Sequence, residues 1–415
     1  MAIRAGQILH DAEGFVIDRI QTAGVGNVNI PEEKIFELGN FLSVGTVRDI
    51  PDLSFDVESL DVSTEIEALL TQFTPDTASA NTEFDLGTAH PIDIISPFKS
   101  SNTAFDIIRG IAIPYLSLER STYRFGLRQN STQQHTLRGD SIFYIPGTPY
   151  YEEQVFTGAA TYSFANTAIK FNNSGTDEFA LGVHLFNSGS GTFTRAFLGD
   201  DYTDTAAGIT FASNANTTAL LAAYDTVAIT YGSTVAASYT QTGTTPLGNP
   251  VHQTSSVKPS TVRGKDIDVY IATPSATETF TRWSGVQSFE VTRSVNIEND
   301  EEFGNSRFVD SGFDTAEVTG SITVKPENPT DLFDKIYEVT DVPTTEVVGP
   351  NVSALIPVEL RVSDPDTGTV LKTLYIPDAK FTVPGVQGRI QTKLEVTFNF
   401  TSEGGSLLVY EGSRV

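Results

Sequence analysis

The sequence contains no cysteine, one methionine and one tryptophan in 415 residues. Without cysteine there are no disulfides, no thiolate metal sites and no thiol nucleophile. Histidine is nearly as scarce. The five, His10, His90, His135, His184 and His252, are scattered, with no two at i, i+4 and no His-Glu-x-x-His, which argues against a zinc hydrolase. The lone Trp283 is too little for an aromatic sugar platform. No apolar run approaches the ~20 residues of a membrane helix, so no membrane insertion is expected. The start, Met1 to Gly6, lacks a basic segment followed by an apolar core, so no signal peptide is expected and the sequon Asn130-Ser131-Thr132 carries no weight.

Catalytic motifs are missing as well. There is no Gly-x-Ser-x-Gly elbow, phosphate loop or dinucleotide fingerprint between a strand and a helix. Nothing among the 52 acidic residues singles out a facing carboxylate pair. The reading is therefore not an enzyme, with no catalytic residue, no metal and no cofactor. Basic residues are also few: 26 Lys and Arg leave a formal net charge of −26 and a pI near 4.4. Such a surface repels nucleic-acid phosphates and anionic lipid. It suits a wall that DNA passes without sticking, and equally plain solubility or a salty environment.

What is present is β-forming. Hydrophobic residues make up 39%, with 27 Phe and 14 Tyr, enough for real cores in about two to four domains. Gly, Val, Thr, Ile, Phe and Tyr dominate, so a mainly β fold is expected.

The two ends of the chain echo each other. Ile20-Gln21 returns as Val286-Gln287, and Val28-Asn29-Ile30 as Val295-Asn296-Ile297. Acidic stretches follow, Pro31-Glu32-Glu33 and residues 298–302, then Gly39-Asn40 and Gly304-Asn305, at an offset of 265 to 267 positions. Leu53-Ser54-Phe55-Asp56-Val57 alternates as a half-buried strand does, and Val318-Thr319-Gly320-Ser321-Ile322 follows the same pattern with Gly320 at the central apolar place.

A short helix is expected after each. The first carries Ile66, Leu69, Leu70 and Phe73 on one face, with Thr64 and Glu67 at capping-box spacing. The second carries Phe333, Ile336 and Tyr337 after Pro329. Ile113-Pro114 then answers to Ile376-Pro377, Arg124 to Arg389, and the closing segment 141–145 to 406–410. Tandem duplication explains this order, and chance similarity of two β-rich segments is the alternative.

Residues 149–260 have no counterpart. They are rich in Gly, Ser, Thr, Ala and Asn, with short strands expected at 164–171, 179–186, 225–229 and 235–239 and a connector at 246–259. The boundaries follow: copy one at 1–148, an inserted β-rich decoration domain at 149–246, a linker at 247–260 and copy two at 261–415. The insert is expected to project outward, dispensable for assembly. Acidic clusters at Asp200-Asp201 with Asp204, at 298–302, and at Asp364 with Asp366 lack calcium-loop spacing. Asp364 to Gly368 reads as a hairpin turn, and Arg138-Gly139-Asp140 as a turn before the closing strand.

The stretch Glu37-Leu38-Gly39-Asn40, then Val47-Arg48-Asp49-Ile50-Pro51-Asp52-Leu53-Ser54-Phe55-Asp56-Val57 and on to Ser63-Thr64-Glu65-Ile66-Glu67, resembles the tail tube proteins of long-tailed bacterial and archaeal viruses. The likeness covers both copies but not the insert. It implies two tandem β-sandwich or barrel domains, each with one short helix, beside the small inserted β domain. It also implies a structural virion protein of the tail, assembled in the host cytoplasm. Six domains, from three chains, would close a homotrimeric, pseudo-hexameric ring by sheet augmentation, and stacked rings would form the tube that delivers DNA.

Expected partners are the chain itself, the tape measure, tail terminator and tail tip proteins, and DNA in transient, non-specific passage. Phe36, Leu38, Phe41, Leu42, Phe303 and Phe308 would be ring-stacking contacts or else residues of the domain's own core. Asp56 and Glu58 would face the DNA in the lumen or else lie on the outer surface or at a subunit contact. Competing readings are a baseplate, fibre or adhesion β-sandwich that binds host glycan, and a polysaccharide-degrading enzyme.

Overall fold

The structure is a computed structural model. It describes residues 4–5, 9–11, 16–17, 20–29, 32–36, 43–48, 52–60, 64–73, 81–99, 107–127, 129–155, 161–173, 176–235, 244–246, 262–273, 279–300, 310–325, 355–382, 386–387 and 395–414. The fold is mainly β, 67% strand against 9% helix, in several antiparallel sheets of β-sandwich character.

The first half holds β1 (Leu9–Asp11), β2 (Val16–Ile17), β3 (Ile20–Asn29), β4 (Asp52–Ser59), helix α1 (Glu65–Leu70), β5 (Ile92–Lys99), β6 (Ile107–Gly126), β7 (Thr132–Gly139) and β8 (Phe143–Ile145). The insert holds β9 (Thr148–Val155), β10 (Ala180–Asn187), β11 (Thr192–Ala196), helix α2 (Ala215–Ala223), β12 (Thr226–Ser233) and β13 (Thr244–Pro246). The second half holds β14 (Ile267–Thr273), β15 (Thr279–Arg282), β16 (Val286–Asp300), β17 (Asp310–Val324), β18 (Leu355–Ser363), β19 (Val370–Phe381), β20 (Val386–Gln387), β21 (Glu395–Ser402) and β22 (Leu408–Glu411).

Strand pairing runs in the same order in both halves. In the first, β1 pairs β2 and β5, β5 pairs β6, β6 pairs β8 and β7, β7 pairs β4, and β4 pairs β3. In the second, β14 pairs β15 and β18, β18 pairs β19, β19 pairs β22 and β21, β21 pairs β17, and β17 pairs β16. Matched registers correct one sequence alignment: Gln387, opposite Glu395, holds the place that Arg124 holds opposite Thr132, whereas Arg389 lies outside the described residues.

Period-two patterning builds the core. Leu53, Phe55 and Val57 of β4 point inward between Asp52, Ser54, Asp56 and Glu58. Val396, Phe398 and Phe400 of β21 do the same between Glu395, Thr397 and Asn399. One apolar core runs through both halves and takes in Leu181, Phe186 and Phe193 of the insert. The insert thus shares the core of the first half instead of standing clear of it. Its own five-stranded sheet, β11-β10-β12-β9-β13, encloses a second small core around Tyr150, Val183, Leu185 and Tyr231.

Three local expectations need correction. Thr64 does not cap α1: its hydroxyl donates to Glu411, and Glu67 turns into the core. Phe73 lies past the helix end, half-buried against Phe84. Residues 164–170 alternate in burial yet make only an isolated bridge, Ala168 opposite Ser233, while Phe164, Ala168 and Ile169 donate their amides to Ala207, Ala206 and Gly232; Phe171 opens a short separate ladder opposite Glu178. Conversely, α2 was not expected; Asn214 caps it, accepting from Thr217 N at 2.7 Å. The second-half helix expected around Phe333 lies outside the described residues.

Candidate functional site: a continuous sheet and two buried seams

The two halves meet edge to edge. Strand β6 pairs β16 from Arg120↔Ser294 to Gly126↔Ser288, so β3-β4-β7-β6-β16-β17-β21 form one continuous sheet. One face is core. The opposite face is polar along its length: Arg138 grips Asp52 with two bonds of 2.8 Å, and Thr136 donates to Asp56 at 2.7 Å. At the junction Arg124 pairs with Glu290 at 3.1 Å and Thr122 with Thr292 at 3.1 Å. Hydrogen bonding to Asp52 holds the Arg138 guanidinium above its usual range.

Asp56 therefore sits where the alternation predicts, in an open concavity of about 580 Å³ with Asp52, Ser54, Glu119, Arg120, Gln134, Thr136 and Arg138. Glu58 is on the same face, opposite Gln134 and Thr22. The face is mixed in charge, because arginines sit among the acids.

Of the stacking candidates, Phe36 ends Glu32–Phe36, which among the described residues pairs with Ser43–Arg48 as a separate two-stranded ribbon. Leu38, Phe41, Leu42, Phe303 and Phe308 lie outside the described residues. In the second half β16 and β17 run on as a ribbon to Asp300↔Asp310. Arg138-Gly139-Asp140 is no exposed loop: Gly139 and Asp140 are buried, and Ser141 donates to Asp140. Among the described residues no group of three acids, histidines or cysteines could hold a metal ion. None of their helices is long and apolar enough to cross a membrane.

Two seams are closed by buried charge. Between the halves, Lys372 of β19 reaches Glu67 of α1 at 2.5 Å and the Gln133 carbonyl of β7 at 2.9 Å. Both members of the ion pair are fully buried. Tyr123 OH donates to Glu67 Oε1 at 2.6 Å, and its ring lies 5.0 Å from Lys372 Nζ. His135 completes the cluster, its Nδ1 at 3.0 Å from Ser121 Oγ. Burial pushes the Glu67 carboxyl up, but Lys372, His135 and Tyr123 outweigh it and hold it below the usual carboxylate range. Burial brings His135 down to about 4 and, with Glu67 beside it, lifts the Tyr123 phenol well above its usual value.

Between the first half and the insert, Asp93 of β5 pairs with Arg195 of β11, with His184 Nε2 at 3.4 Å. Asp93 also accepts the amide of Tyr115 at 2.7 Å. That bond holds Tyr115 at φ +58°, a conformation few non-glycine residues adopt. Burial brings His184 down to about 4 as well. Burial alone would lower the Arg195 guanidinium, and Asp93, together with the Tyr202 and Tyr115 phenols, more than offsets it.

Alternation put Asp56 and Glu58 on the face opposite the core, as the strand has them, but sequence reasoning missed the buried roles of Glu67, Lys372, Asp93 and Arg195. The available signal was a lysine at the inward parity of Leu374 and Ile376 on an apolar strand. Set against known proteins, the sequence matches no family model and no curated protein.

Proposed function

We propose that the chain is a structural protein of a virus tail. Rings of three chains, each chain a tandem duplication of one tube domain, stack into a hollow tube that carries DNA. The observation that supports this best is the β6–β16 junction. It joins two halves of equal pairing order into one sheet, edge against edge. Open sheet edges invite further pairing, and the same kind of junction is available again at both ends of the sheet. In the first half β3 holds the place of β16, and in the second β20 holds that of β6. Neither β3 nor β20 pairs with a strand on its far side among the described residues.

Transferring the register sets Val386 opposite Val25 and Gln387 opposite Gly24 of the next chain. The internal counterparts are Tyr123↔Val291 and Arg124↔Glu290. A head-to-tail contact of this kind closes into a ring or runs on as a filament. The polar sheet face carrying Asp56 and Glu58 would line the channel. Negative-stain microscopy should find rings or tubes, and mass measurement after tube dissociation should find trimers or monomers. A stable closed hexamer of full-length chains would overturn the threefold arrangement, and a chain that stays monomeric at all concentrations would overturn the assembly role.

A further inference from the structure

We infer that Lys372 and Gln133 become joined by a covalent amide bond, made by the folded chain itself and tying the two halves together. The inference is independent of ring formation. It rests on three side chains from three elements that meet in a buried site. Lys372 is fully buried on β19, Gln133 is 2% exposed on β7, and Glu67 is fully buried on α1. The amine nitrogen touches the Gln133 carbonyl oxygen at 2.9 Å, which sets the carboxamide carbon one bond beyond the contact atom. The same nitrogen touches Glu67 Oε1 at 2.5 Å. Glu67 Oε2 is buried within the cluster and has no partner among the described residues.

Attack of an amine on a carboxamide needs an unprotonated nitrogen, a proton for the departing ammonia, and exclusion of water that would hydrolyse the product. Glu67 meets the first two needs. The pair rests ionised, and a transient proton transfer from the Lys372 ammonium to Glu67 leaves a neutral amine and a neutral acid from which attack proceeds. The lone pair on Nζ then attacks Gln133 Cδ, and the carbonyl π pair moves to oxygen. As the tetrahedral centre collapses, the Cδ–Nε2 bond breaks and Glu67 hands its proton to the leaving nitrogen. It takes back the surplus proton from Nζ, and ammonia departs. Lys372 has lost two protons, one to ammonia and one to Glu67, and no oxidant or co-reactant is needed. Tyr123 supports the cycle by donating to Glu67 Oε1 and walling off solvent with its ring. In a chain without cysteine, this bond does the work of a disulfide between strands 239 positions apart.

The test is the intact mass of the purified, folded full-length chain. It should fall below the sequence mass by one ammonia, about 17 Da. Proteolysis should give a branched peptide joining the segments that carry positions 133 and 372. Gln133→Glu should reach the same final mass by shedding water instead, and Lys372→Met should keep its full mass. A folded natural chain at its full sequence mass would overturn the inference. So would an ammonia loss that maps to any site other than a Gln133–Lys372 branch.

Discussion

Gly320 shows how the two halves solve one packing problem with opposite residues. The register pairs Gly320 with Phe400 in the second half, where the first pairs Phe55 with Leu137. A methyl group at position 320 would lie 2.2 Å from the Phe400 ring and 2.7 Å from the Glu290 carbonyl oxygen. The large ring on β21 thus fills the space that the phenylalanine on β4 takes up in the first half. A sequence comparison that seeks like residues at like positions misses such an exchange. Gly320→Ala should therefore destabilise the fold by about 1–3 kcal/mol, the usual cost of overpacking a full core. Phe400→Leu in that background should recover part of the loss. Urea denaturation midpoints check both. An alanine variant as stable as the parent would mean that the ring can move aside.

At the scale of elements, legibility followed locality. Alternation in residues 53–57 marked β4, and the turn at 364–368 joins β18 to β19 as its Asp and Gly suggested. Helix α2 escaped because 215–223 has no apolar stripe; only Thr217 is buried. The Thr64–Glu67 spacing misled because a cap and an inward-facing acid share one pattern, and only partners 347 and 305 positions away tell them apart. The seams are of this non-local kind, and each carries a buried histidine. For both, the folded-state value of about 4 lies below the ordinary 6.5. Folding then favours the neutral ring. The associated stability is present above pH 6.5 and is lost as pH falls toward 4, by at most on the order of 3 kcal/mol per histidine. His184→Gln should flatten the loss between pH 6.5 and 4 by about half of the histidine contribution, read from urea midpoints across that range. An unchanged pH slope would show that His184 titrates normally at the seam between insert and first half.

At the scale of the whole molecule, β3 and β20 are the sheet edges left without a far-side partner among the described residues. The internal junction carries an ion pair, Arg124 with Glu290, while the matching positions at the ends of the sheet are Gln387 and Gly24. A junction between chains built on this register would lack that pair and would separate more readily than the internal one. The absence of native cysteine makes the register testable by disulfide trapping. Facing residues of an antiparallel pair sit about 4.5–5.5 Å apart at Cα, within disulfide reach. A Cβ at Gly24 meets nothing within 4 Å, so cysteine fits there without displacing a neighbour. A chain carrying Gly24→Cys and Gln387→Cys should, once assembled and mildly oxidised, run on a non-reducing gel as dimers and trimers with nothing larger. Each single variant should stay monomeric on the same gel. A ladder extending past three chains would indicate a filament or a larger ring on the same edges. Assembled rings that yield no cross-link would mean that chains meet elsewhere, leaving the assembly role intact but the edge-to-edge register wrong.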